Sequence, residues 1–115
     1  MKKILFAALL SSTSFSTIAA FYNGNDLIDW DGSRKRVINE SATPNDLVMA
    51  GMFRGFVVST FNATLNTRTC ADDKTTINQL EDVVSLYLVN HPELRTKSSS
   101  LLAADALSNA FPCKK

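Results

Sequence analysis

The residues that could do chemistry are few and scattered. His91 is the only histidine, and Cys70 and Cys113 are the only cysteines. A zinc site of the usual nitrogen and sulfur type needs three or four ligands, so one imidazole cannot anchor it unless both thiols stay open. The Gly-x-Ser-x-Gly elbow of an α/β-hydrolase nucleophile is absent. His91 precedes Pro92, which reads as the end of a helix, where the ring favours the negative end of the dipole. Asp26, Asp29 and Asp31 imitate the start of a calcium loop. With Asp29, Asp31 and Gly32 in register, however, the first ligand position falls on Leu27 and the last on Ile38. Asp72 and Asp73 are neighbours in a polar stretch and read as solvated rather than as a paired acid and base. These patterns predict no catalytic set, no metal and no cofactor.

Chemistry of another kind sits at the N-terminus. Lys2-Lys3, the apolar run Ile4 to Leu10, and a small, polar tract ending Thr17-Ile18-Ala19-Ala20 have the layout of a secretory signal peptide. The run is too short to span a bilayer. Cleavage after Ala19 or Ala20 leaves about 95 residues outside the cytosol, where a disulfide persists. The full chain carries 12 Lys+Arg against 11 Asp+Glu; losing Lys2 and Lys3 makes the mature domain nearly neutral. That balance argues against a nucleic-acid partner, whose binders carry a basic surplus. The mature chain is one domain, 21–115, near the size where a single core is only marginally sufficient. An exported pair with no third cysteine is expected to close, the other reading being two free thiols. A Cys70–Cys113 crosslink closes a loop of about 44 residues, which chain entropy values at roughly 4 kcal/mol.

The elements that position these groups read as helices. Asn25 or Asp26 is expected to cap one or two turns through Trp30, with Asp31-Gly32-Ser33 turning the chain and Arg34-Lys35-Arg36 forming a solvated loop or helix start. Thr43-Pro44-Asn45-Asp46 is a helix start, with a capping threonine, proline at the first position and an acid in the first turn. Apolar residues from Leu47 to Leu65 reach almost every side of that helix, as in one that is central or shares a face with a second subunit. Arg54 among them requires an acid or a path to solvent. Gly51 and Gly55 each cost about 1 kcal/mol relative to alanine, which predicts close approach of another helix. Thr76 and Gln79 form a capping box ahead of the stripe Ile77, Leu80, Val83, Val84, Tyr87 and Leu88, which Pro92 ends. A last helix is expected from near Pro92 or Lys97 to about Ala110. The predicted fold class is all-α, a small helical bundle closed by one disulfide.

The stretch from Gly51 to Cys113 resembles the Rap/Tai family of type VI secretion immunity proteins. The resemblance rests on Gly51-Met52-Phe53-Arg54-Gly55-Phe56, Cys70, Leu80-Glu81-Asp82-Val83-Val84, Tyr87 through His91-Pro92-Glu93, and the closing Ala106 to Phe111-Pro112-Cys113. It covers roughly two-thirds of the mature chain. The chain departs from many members in lacking a second cysteine pair, with Trp30-Asp31 and Met49-Ala50 near the corresponding places.

The resemblance implies a periplasmic, all-α, often homodimeric binding protein. Its partner would be a peptidoglycan-cleaving amidase effector, inhibited by occlusion of the active cleft, with no membrane span after signal cleavage. The motif residues Cys70, Tyr87, Pro92, Leu107, Phe111 and Cys113 are expected to hold the fold. Contact with the effector is expected from exposed loops, which project and vary on a rigid scaffold. The candidates are Asp72, Asp73 and Lys74 after the first cysteine, and Arg95, Thr96 and Lys97 after His91-Pro92. The competing readings are a small exported scaffolding protein of the envelope and a secreted enzyme depending on His91.

Overall fold

The computed structural model describes residues 21–114, and the leader expected over 1–20 lies outside them. The described chain forms four α-helices and one 3-10 turn: α1 (Gly24–Ile38), α2 (Pro44–Thr64), α3 (Ile77–Asn90), the turn Pro92–Leu94, and α4 (Ser99–Ala110). Three helices open on reciprocal capping boxes. Asn23 pairs with Asp26 at α1, Thr43 with Asp46 at α2, and Thr76 with Gln79 at α3, so two orphan amides are satisfied at each start. Ser98 caps α4 through the Leu101 amide.

The first segment corrects the expectation. Asp31-Gly32-Ser33 does not turn the chain, and Arg34-Lys35-Arg36 is not a loop; all six lie inside a continuous fifteen-residue α1. The cap is Asn23, two or three residues earlier than expected. The helix carries through its glycine because Asp31, Ser33 and Arg34 are buried and bonded rather than solvated.

The core is one cluster to which every helix contributes. Leu27 and Trp30 come from α1, Phe53 and Val57 from α2, Leu80, Val84 and Leu88 from α3, and Leu102, Ala103, Ala106 and Leu107 from α4. Tyr22 and Phe56 both stack edge-on against Trp30. Burial of such side chains is worth about 1.5–3 kcal/mol each and is the main term holding the helices together.

Cys70 and Cys113 are joined. The join has backbone support, because the Cys70 amide donates to the Phe111 carbonyl at 2.8 Å and Thr69 bridges to Pro112. Thr69, fully buried, shares a hydroxyl hydrogen bond with Thr64 at 3.0 Å, and Asn66 turns the chain at φ 61°. Asparagine tolerates that left-handed conformation better than most residues. The segment leaving α2 is thereby tied to the end of α4, while Asn23 bridges to Ser98 at its beginning.

Candidate interaction surface

Asp31, Arg34 and Lys35 of α1, Arg54 of α2 and Glu81 and Asp82 of α3 join into one network. Asp31 is fully buried and accepts from Ser85 Oγ at 2.6 Å, Arg34 Nε at 2.8 Å and Lys35 Nζ at 2.9 Å. Burial alone would raise its pKa, but these three donors outweigh it and hold the carboxyl below its usual value. Arg34 goes on to Asp82 at 3.2 Å and lies over the Phe53 ring, 5.5 Å from its centroid. Glu81, also buried, is gripped by Arg54 through both carboxylate oxygens, at 2.9 and 3.2 Å. Arg54 thus has the acid that its place among apolar residues required. Arg36 closes a separate clamp, donating to Asp46 at 2.7 Å beside Ser33; this bond, ahead of the Thr43 amide, drives the Asp46 pKa down. None of the three successive basic residues is free, so the chain has no basic patch here.

On α2 the side turned away from the core carries one charge, Arg54 at its edge, which is paired with Glu81. Leu47, Val48, Gly51, Met52, Gly55, Ser59 and Asn62 are all exposed, with Leu47 60% and Val48 59% accessible. The helix is therefore not enclosed on all sides by its own fold. Gly51 and Gly55 meet no neighbouring helix: a Cβ at either would find nothing within 4 Å. The close approach expected at these glycines does not occur within the chain. A partly apolar helix face left open along most of its length is the mark of an interaction surface.

The two loops named from sequence sit apart. Asp72, Asp73 and Lys74 are exposed, in a turn where Asp72 accepts from the Lys74 amide at 2.6 Å and its carbonyl from the Thr75 amide. This turn follows Cys70, tied to the end of α4. Arg95, Thr96 and Lys97 precede the other end of α4, about 18 Å away along a twelve-residue helix. Only part of the second group projects. Arg95 Nε donates to the Leu88 carbonyl at 2.8 Å and so closes the end of α3, whereas Thr96 and Lys97 are exposed.

The groups considered for catalysis do not converge. His91 is the C-cap of α3, its Nδ1 2.9 Å from the Tyr87 carbonyl and its ring against that tyrosine. Among the described residues no cluster of His, Cys, Asp or Glu could hold a metal, and Asp26 and Asp31 are committed to a cap and to the ion network. No helix of the described residues is long and apolar enough to cross a membrane. The arrangement offers surfaces for binding.

A search of curated proteins returns no match. The sequence model of the family described as Rap1a immunity proteins does match, over residues 23–113, which is nearly all of the described fold. The chain belongs to the Rap1a immunity protein family. As a Rap1a immunity protein it is directed against a secreted effector, and proteins of this kind typically work by binding rather than by catalysis. The match reaches back to Asn23, the residue that caps α1, so the first helix is part of the family domain. Sequence reasoning missed that helix's role. The available signal was Asn23 three residues before Asp26, the same spacing as the capping box of Thr76 and Gln79.

Proposed function

We propose that this Rap1a immunity protein is a periplasmic inhibitor of a peptidoglycan-cleaving amidase effector of a type VI secretion system, acting by occluding the effector's active cleft. The family match over 23–113 carries the reading. The leader-like residues 1–20 and the Cys70–Cys113 crosslink suit an exported protein. The turn Asp72-Asp73-Lys74, fixed to the end of α4 by the crosslink, is the part that enters the cleft, with Thr96 and Lys97 at the far end of α4 as a second contact. A second copy covers the open face of α2. In a two-fold pairing about Gly51 and Gly55, Leu47 of each copy lies over the small residues Gly55 and Ser59 of the other, so the same face supplies both projection and recess.

Size-exclusion chromatography with light scattering tests both associations in one experiment. The mature, oxidised domain alone is expected to elute at twice its chain mass at tens of micromolar, and to shift to a larger complex when a candidate cell-wall amidase effector is added. Elution of the free protein at one chain mass would contradict the second copy on α2. Failure to form a complex with any such hydrolase would leave the family fold in an envelope scaffolding role.

A further inference from the structure

Along one edge of the open face of α2, sharing Leu47 and Gly51 with it, lies a half-open cavity of about 450 Å³, walled also by Val37 and Ile38 of α1 and Ala50 of α2. That is within the ordinary range of binding clefts, about 300–1,000 Å³. Its polar side is made by the ion network. Arg34 and Arg54 line it together with Glu81, Asp82 and Asn78. Each guanidinium keeps one nitrogen without an acceptor among the described residues. Arg34 donates through Nε and Nη1, and Arg54 through Nε and Nη2, leaving Nη2 of the first and Nη1 of the second. The Arg34 side chain is only 9% accessible, yet no fully buried side-chain nitrogen lacks a partner, so its spare nitrogen opens outward. Arg34 is among the residues that line the cavity.

The charges around it cancel: two guanidinium groups face two carboxylates. An anionic visitor would meet Glu81 and Asp82, and a cationic one the two arginines. A neutral dipolar group meets neither objection. Its carbonyl can accept from the spare guanidinium N–H groups, and its N–H can donate to Asp82, whose side chain is 69% accessible. We propose that the cavity receives a neutral amide-bearing segment of the effector, an asparagine or glutamine side chain or a turn of backbone flanked by apolar residues. The inference rests on the effector-binding reading above. Position supports the effector as occupant, because Asn78 on the rim is four residues beyond Lys74. Four residues span at most about 14 Å, so the cavity and the Asp72–Lys74 turn lie within reach of a single partner.

The test fills the cavity from helices other than α2, so that no residue of the face assigned to a second copy is changed, Leu47 and Gly51 at their shared edge included. Ile38 is 63% accessible and Asn78 is exposed, so Ile38→Trp and Asn78→Trp add bulk without disturbing the core. Titration calorimetry against a candidate peptidoglycan amidase that the parent binds is expected to show each variant binding about tenfold more weakly or worse, with helical circular dichroism unchanged. Val89→Trp, on an exposed site of α3 that does not line the cavity, is expected to bind as the parent does. The loss should be the same at low and high salt, since a neutral contact is not screened. Parental affinity in both cavity variants would overturn the proposal, and so would a salt-dependent loss, which marks a charged occupant. A changed mass of the free variants would also overturn it by showing a second copy there. If the parent itself forms no complex, the effector-binding reading falls, an outcome distinct from all of these.

Discussion

Gly24→Ala is expected to destabilise the fold by about 3 kcal/mol, the upper part of the usual range for overpacking a tight contact. A Cβ at Gly24 would lie 2.5 Å from Leu102 Cδ1, 2.7 Å from Arg95 Cα and 2.9 Å from the Arg95 carbonyl oxygen. The leucine methyl can swing aside, but the Arg95 backbone cannot. It is held there by the Asn25 amide, which donates to the Arg95 carbonyl at 3.2 Å, while the Gly24 amide donates to Lys97 at 3.1 Å. Moving the start of α1 away breaks both bonds and loosens the approach to α4. Gly51→Ala and Gly55→Ala provide the contrast. Within one chain both sites are open helix interior, so each change should stabilise the monomer by about 1 kcal/mol when measured at a concentration too low for the second copy to bind. Urea unfolding of the three variants measures the difference; a Gly24→Ala curve overlying the parent would contradict the packing at this contact.

Asp31→Ala is expected to cost about 3–5 kcal/mol, the range for removing one partner of a buried ion pair. The carboxylate has no exposure and three donors, and without it the nearly buried Arg34 is left with Asp82, and with Glu81 at 3.9 Å. The same group sets the acid response. Its pKa is lower folded than unfolded, so the unfolded chain binds more protons as pH falls. The stability it contributes is therefore fully present above the unfolded carboxylate value, about 4, and is lost progressively below it. Asp46, lowered chiefly by Arg36, acts in the same direction. Denaturant midpoints measured from pH 7 down to pH 2 should fall below about pH 4 in the parent and fall less steeply in Asp31→Asn. Equal slopes would contradict the lowered pKa.

Much of the fold is written in local signals. Thr43-Pro44 and the Thr76–Gln79 pair start α2 and α3 where they read, because caps act on amides within one turn. The stripe of α3 finds its core positions Leu80, Val84 and Leu88 for the same reason of short range. The first helix was illegible past Trp30, since Asp31, Ser33 and Arg34 look like turn and loop residues until their partners Ser85, Asp46 and Asp82 are in place. Those partners are 13 to 54 residues distant, and tertiary pairing overrides local preference. That network, with Trp30 in the core, fastens the first helix without a second cysteine pair. Glycine misled in both directions. The spacing of Gly51 and Gly55 pointed to a contact that the chain does not make with itself. Gly24, whose missing Cβ the packing requires, stood in a polar stretch with nothing to mark it. The cavity was also beyond sequence, because three helices supply its walls.

The central claim is that this Rap1a immunity protein silences an effector by covering its cleft. Titration of residues 21–115, oxidised at Cys70 and Cys113, into a candidate peptidoglycan amidase effector, with peptidoglycan cleavage followed throughout, tests that most directly. The account predicts a linear fall in activity to zero at a fixed molar ratio, with activity recovered when the complex is dissociated. Undiminished cleavage in the presence of a saturating excess would contradict it.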